Sequence, residues 1–142
     1  MSRRLLAPLL LGAVVVAVAL AGCGTLRDGA SLDGTSWRLT EWSISSVNPA
    51  SVTITASFKD GEIGGSAPIN SYGGPYEATE SGSFLVGGPI SSTLMAGPEE
   101  AMRAERAYFA LLDQARKYSR KGGELTLSDA NGNPLLIFAA TK

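Results

Sequence analysis

The 142-residue sequence contains no histidine and a single cysteine, and both scarcities exclude kinds of chemistry. Serine–histidine and cysteine–histidine mechanisms need an imidazole base, and tetrahedral zinc sites need several cysteine or histidine ligands. Charged residues make up only 18% of the chain, and the net charge of −1 offers no basic surface for nucleic acid. We therefore expect no catalytic residues, no cofactor, no metal and no nucleic-acid partner.

The remaining enzyme and metal signals are weak. Thirteen acidic residues could supply paired carboxylates for glycoside hydrolysis, but no pattern singles out two of them. The oxygen-rich residues 129–133 could form a calcium loop, yet no bidentate acid follows at EF-hand spacing, which favours a hairpin turn. An enzyme is the least supported class of function for this chain.

The only cysteine, Cys23, follows a long run without charge that begins after Arg3 and Arg4. A basic start and an apolar core are typical of a secretory signal, although the run is also long enough to span a bilayer. The residues Leu-Ala-Gly-Cys at 20–23 resemble the bacterial lipoprotein box, in which the cysteine is acylated and the preceding peptide bond is cut. Two or more acyl chains hold a protein durably on a membrane.

This motif predicts three segments: a lipoprotein signal peptide at 1–22, a flexible tether at 23–31 and one domain at 32–142. The acylated Cys23 would anchor the chain to the cell membrane, with the domain on the extracytoplasmic side. An uncleaved transmembrane helix and an incidental buried cysteine are the alternatives. We expect the domain to be a monomer with a protein partner in the envelope.

Glycine-bounded strands and one helix dominate the pattern after residue 32. Strands are predicted at 35–44, 52–58, 84–86, 124–128 and 135–140, with a tight turn at 59–62. A helix is predicted from Pro98, capped by Gly97, to about Tyr118, with an ion pair between Asp113 and Lys117. The order indicates an antiparallel α+β fold.

Two tryptophans allow different interpretations. Trp37 and Trp42 are five residues apart, so on a regular strand their side chains point to opposite faces. Trp37 would enter the core, and an exposed Trp42 would be a candidate anchor for a partner. A bulge, or cover from residues 45–49, would bury Trp42 instead.

Five short motifs in order resemble the META domain, or HslJ-like, family over nearly all of residues 32–142. They are residues 34–39, 70–76, 92–96 before a helix that carries Glu105 and Phe109, 125–127 and 135–138. The resemblance implies a strongly curved antiparallel sheet with its helix packed across one side. It also implies an envelope or secreted protein without a general enzymatic activity, in a family with members associated with heat shock, antibiotic tolerance or virulence.

The chain departs from this family at two positions. Many members carry one cysteine just before the residue that matches Asn70 and another after the pair that matches Met95 and Ala96. Here those positions are Ile69 and Gly97, so the stabilisation of such a disulfide must come from elsewhere. Burial of Ile69 is the interpretation we favour.

Glu105 falls within the apolar half of the predicted helix. A carboxylate that faces the core needs hydrogen bonds. In the arrangement that the resemblance implies, its nearest partners are the segment around Thr93 or the region of Asn70, so these three residues are structural candidates. The alternatives are a catalytic acid with a raised pKa, or a side chain that reaches water at the helix edge.

Two binding functions remain after these arguments. The first is a non-enzymatic envelope lipoprotein whose domain binds another macromolecule or acts in envelope stress. The second is a carrier or sensor of a small apolar ligand held in the concavity of the sheet. An apolar cavity inside the sheet would favour the second, and a filled core with an exposed apolar patch would favour the first.

Overall fold

The computed structural model describes residues 31–44 and 46–142 of the chain. The predicted signal peptide, Cys23 and nearly all of the predicted tether lie outside the described residues. Among the residues that are described, no helix has the length and apolar character needed to cross a bilayer. In chain order the elements are β1 (Thr35–Trp42), a short 3₁₀ helix (Pro49–Ser51), β2 (Thr55–Lys59), β3 (Glu62–Ser66), β4 (Ser71–Ala78), β5 (Phe84–Val86), β6 (Ser91–Ser92), α1 (Glu99–Gln114), β7 (Lys117–Lys121), β8 (Glu124–Ser128) and β9 (Pro134–Ala140).

The strands form one antiparallel sheet in the order β5-β4-β3-β2-β1-β9-β8-β7, with β6 paired to β4. The two outermost strands, β5 and β7, lie next to each other. The Phe84 N–H donates to Arg116 O and the Tyr118 N–H donates to Gly82 O, both at 2.9 Å. The sheet therefore curves almost into a closed barrel, and α1 packs against it. The predicted α+β class and the curved antiparallel sheet with a helix across it are confirmed.

Local turn chemistry fixes two of the hairpins. At the tip between β2 and β3, Asp60 and Gly61 both have positive φ, 52° and 80°. Two successive positive φ angles define the tight turn whose twist matches antiparallel strands. Between β8 and β9, the Asp129 carboxylate accepts hydrogen bonds from Asn131 N and Asn133 N at 2.8 and 2.9 Å. The sequence predicted both turns.

The core lies between the concave side of the sheet and α1. Trp37 and Leu39 on β1 are buried while their neighbours are exposed, as the alternation predicted. The ring of Phe58 lies edge-on to Tyr76, with centroids 4.9 Å apart, and to Phe84 at 6.2 Å. These packed rings, together with the helix, fill the concavity. The largest fully buried side chains are Trp37, Tyr108, Phe58, Phe84, Phe138, Leu32, Ile54, Ile63, Leu112, Leu125, Leu127 and Leu136.

The helix begins close to its predicted start. Pro98 is its N-cap and Glu99 its first residue, one position later than predicted from Gly97 as the cap. The acidic first turn, Glu99 and Glu100, stabilises the positive end of the helix dipole. Arg103 forms an ion pair with Glu99 at 3.1 Å, four residues earlier on the helix.

The predicted end of the helix at Tyr118 was wrong. The helix ends at Gln114, and Ala115 is extended with ψ 133°. The next residues form β7, which pairs with β8 across a turn at Gly122 and Gly123, both with positive φ. Strand pairing there outweighs helix propensity, because Tyr118 is buried on the sheet. The predicted Asp113–Lys117 pair on one helix face is therefore wrong as well.

Trp42 adopts the loop-packed alternative. The pairing of β1 with β9 shifts register between Leu39 and Glu41, and this bulge turns Trp42 towards the core side. The Trp42 indole N–H donates to Val47 O at 2.8 Å, and the ring is half-buried against the core. Only part of the ring is left for any partner, so Trp42 is not the exposed anchor that a regular strand would have made.

Candidate functional site

Asn70 and Glu105 form a buried polar pair between the start of β4 and the helix. Glu105 Oε2 accepts from the backbone N–H of Ile69 at 3.0 Å and of Asn70 at 2.9 Å. Its Oε1 accepts from Asn70 Nδ2 at 2.6 Å. Glu105 is only 8% exposed, so these three donors take the place of water around its carboxylate. The alternative in which Glu105 reaches water at the helix edge is therefore wrong.

The Asn70 side chain also forms hydrogen bonds with the segment between β6 and α1. Its Oδ1 accepts from Thr93 Oγ1 at 2.7 Å and from Met95 N at 2.8 Å. Its Nδ2 also donates to Met95 O at 3.3 Å. Thr93 in turn is tied to Ser71 by a backbone bond of 3.0 Å and by its hydroxyl at 3.2 Å. The structure thus brings together Asn70, Thr93 and Glu105, the three residues selected as structural candidates.

Ile69 and Gly97 are in direct contact beside this network. A Cβ placed on Gly97 would lie 2.8 Å from Ile69 Cδ1 and 3.0 Å from its Cγ1. The larger side chain therefore occupies the space that the glycine leaves open. The two positions at which the family resemblance implies cysteines are adjacent here, and an apolar contact joins them. Ile69 is half-buried, so the expected burial of this side chain is only partial.

Two large apolar side chains project from the segment that Asn70 holds. Leu94 is 96% exposed and Met95 is 59% exposed, whereas Leu85 on β5 is 39% exposed. Beside them lies a groove of about 410 Å³ between this segment and the helix. We call it the Leu94 groove. It is lined principally by Ser92, Leu94, Met95, Met102, Arg106 and Phe109.

The sequence did not identify the Leu94 groove. Residues 92–96 stood out as a family-like motif, but an apolar pair before a helix is equally compatible with the core. Nor does the helical pattern show that Met102 and Phe109 stay half-exposed. Exposure depends on where the chain turns after β6, and the bonds from Asn70 to Met95 determine that turn.

The other candidate sites have structural explanations. The Asp129 carboxylate makes hydrogen bonds within its own turn, and those from Asn133 hold its pKa below the usual range. Tyr72 and Tyr108 join their hydroxyls at 2.7 Å in the core, and burial raises the pKa of both. Within residues 31–44 and 46–142, no group of three or more acidic or cysteine side chains is placed to hold a metal ion.

The described residues form one antiparallel α+β domain that carries the Leu94 groove on its surface. A sequence model of the META domain matches residues 30–142, and the chain belongs to the META domain family. No curated protein matches this chain.

Two solved structures share the fold. One is the NMR structure of a protein from Burkholderia xenovorans, 25% identical, with a TM-score of 0.64 over 78% of this chain and 84% of that one. The other is an NMR structure of a protein 17% identical, with a TM-score of 0.56 over 76% of this chain and 90% of the other. The second similarity concerns the fold alone.

Proposed function

We propose that this protein is a lipid-anchored, non-enzymatic protein of the cell envelope whose META domain binds a protein partner through the Leu94 groove. The observation that carries this proposal is the exposure of Leu94 and Met95 on a segment that is held in place. Single exposed apolar residues are normal on protein surfaces. Two adjacent ones that continue into half-buried Met102 and Phe109 form the kind of patch that marks an interaction site.

The hydrogen bonds beneath the segment support a binding role. Met95 is bonded through both its N–H and its carbonyl to the Asn70 side chain, which Glu105 holds from the helix. A surface fixed before the partner arrives loses less conformational entropy on binding. The network therefore favours a preformed site over a loose loop.

The placement of the groove also suits an anchored protein. The described chain begins beside the start of β1, where Thr35 pairs with Phe58 at the end of β2. Leu94 and Met95 instead follow Thr93, whose N–H donates to Ser71 O at the start of β4. Ser71 in turn pairs with Ser66 at the end of β3. Because β2 begins at that second end, the groove and the chain entry lie at opposite ends of these strands. A lipidated Cys23 would then attach to the domain at the end of the strands opposite the groove.

Crosslinking from intact membranes tests this function with a matched pair of variants. Met95→Glu places a charge in the groove, and Leu85→Glu places the same charge on an exposed apolar side chain elsewhere. We expect a crosslinked protein adduct with the wild type and with Leu85→Glu, and its loss with Met95→Glu. An adduct that persists in Met95→Glu, or none in the wild type, would contradict the proposed function.

A further inference from the structure

β6 pairs with β4 along one edge, and Ser92 at its end lines the Leu94 groove. Ser91 and Ser92 pair with Gly73 and Tyr72 of β4, and the Thr93 N–H donates to Ser71 O. Backbone groups along an antiparallel strand point alternately to its two sides. Those of Thr93 and Met95 face β4 and Asn70, so those of Ser92 and Leu94 face the other way.

Leu94 lies two residues beyond the end of β6 and continues its other edge without a backbone partner among the described residues. Within the part of the chain that is described, the Leu94 N–H and carbonyl take part in none of the backbone hydrogen bonds of turns and loops. An unpaired strand edge is a template for a further strand, because its donors and acceptors already have the correct spacing. A lipid surface offers no such row of partners.

The helix supplies the opposite wall of the groove. Met102, Arg106 and Phe109 follow at spacings of four and three residues, so they share one helix face. Phe109 is held by an edge-on contact with the Tyr72 ring, with centroids 5.5 Å apart. The groove volume of about 410 Å³ lies within the range of ordinary ligand sites, roughly 300–1,000 Å³.

The side chains in the groove indicate what would bind there. Leu94, Met95 and Met102 provide apolar contact, and methionine adapts to different shapes. Arg103 is paired with Glu99, whereas Arg106 makes no ion pair among the described residues. The Glu105 carboxylate beside it is occupied by three N–H donors. Arg106 is therefore the cation available to an incoming acidic group.

We propose that the Leu94 groove binds an extended peptide segment of the partner, which adds to β6 as a further strand. The segment carries an apolar side chain and an acidic side chain two residues apart, since alternate residues of a strand face the same side. The apolar side chain packs on Met95 and Met102, and the acidic one pairs with Arg106. This inference rests on the proposed function and specifies the partner.

Peptide selection provides the first test. A displayed library of random twelve-residue peptides is panned on the full chain, with removal of peptides that bind Met95→Glu. We expect enriched peptides with the apolar–x–acidic pattern. For a synthetic peptide of that kind, Met95→Glu and Arg106→Glu each lower the affinity about tenfold or more, while Leu85→Glu and Arg38→Glu leave it unchanged. Failure to enrich such peptides would overturn the proposal.

Backbone methylation of the same peptide tests strand addition itself. N-methyl groups on the alternate amides that face β6 lower the affinity about tenfold or more, whereas the same number on the intervening amides has little effect. Equal tolerance of both sets would overturn strand addition. In that case, loss of the crosslinked adduct in Met95→Glu would still support the proposed function, and only strand addition would be rejected. Binding of the chain to anionic lipid vesicles, abolished by Met95→Glu, would instead assign the groove to a membrane surface.

Discussion

The Glu105 carboxylate lies 2.6 Å from Asn70 Nδ2 and 2.9 Å from the Asn70 backbone N–H, so one helix side chain holds one strand residue at two points. The Asn70 side chain then uses its other atoms to bind Thr93 and Met95. The helix, the start of β4 and the segment that displays Leu94 are thereby joined. We regard this connection as the structural basis of the Leu94 groove.

Removal of the Glu105 carboxylate should destabilise the fold. Glu105→Ala leaves the N–H groups of Ile69 and Asn70 and the Asn70 amide without partners in a buried place, and we expect a loss of about 2–4 kcal/mol. Glu105→Gln should cost less, because its amide oxygen can still accept from the two backbone groups. Chemical denaturation measures both. A loss below about 0.5 kcal/mol for Glu105→Ala, the level of plain surface sites, would refute the connection.

A disulfide should form in the double variant Ile69→Cys with Gly97→Cys. The two positions are adjacent, since a Cβ on Gly97 would lie 3.0 Å from Ile69 Cγ1. The bridge would close a loop of about 29 residues and stabilise the oxidised form by roughly 3.5 kcal/mol relative to the reduced form. Thermal unfolding with and without reductant measures the difference. The single variants should show no such difference, and a double variant that stays reduced in oxidising buffer would contradict the contact.

The four tyrosines should resist ionisation while the protein is folded. Burial raises the pKa of Tyr72, Tyr76, Tyr108 and Tyr118 above the ordinary value of 10.0. Their contribution to stability is therefore complete below about pH 10 and is lost as the pH rises above it, because only the unfolded chain releases these protons readily. Tyrosinate absorbance should rise together with the loss of circular dichroism. A tyrosine that ionises near pH 10 in the folded protein would argue against this packing.

Much of the fold could be predicted from local signals. Turn chemistry predicts the turns at 60–61 and 129–133, and alternation predicts the burial of Trp37. The helix start was predicted to within one residue, since the N-cap is Pro98 and not Gly97. The polar connection of Glu105 was predicted from its place on an apolar helix face and from the family resemblance. The turns, the burial of Trp37 and the helix start depend on residues near one another in sequence or on one face of one element. The partners of Glu105, about 35 residues away at Asn70, came from the family resemblance.

The errors came from competition between distant parts of the chain. The helix ends at Gln114 because the following residues form β7, in which Tyr118 pairs with Leu127 of β8. A bulge between Leu39 and Glu41 changes the side of the sheet that Trp42 faces. The residue types at these positions do not predict a bulge. The exposure of Leu94 depends on bonds from Asn70, which is 24 residues earlier in the sequence. Local propensity cannot settle such choices, because tertiary contacts decide them.

The proposed lipid anchor would depend on Cys23, the single cysteine of the chain. Cys23→Ser should block acylation and the cleavage that follows it, which leaves a longer precursor held in the membrane by its uncleaved apolar segment. Labelling with a fatty-acid analogue and the apparent mass on a denaturing gel measure both effects. Labelling should be confined to the wild type. Processing of Cys23→Ser to the same mature size as the wild type would show that the chain is not a lipoprotein.

Photo-crosslinking at the Leu94 groove tests the central claim most directly. A photoreactive phenylalanine analogue replaces Met95 in the full chain, and separately Leu85, and intact cells that make the protein are irradiated. Because Met95 lies in the groove and Leu85 lies on β5, the two sites report on different surfaces. We predict one dominant protein adduct from position 95 and none from position 85. Equal adducts from both positions, or no protein adduct from position 95, would contradict the account.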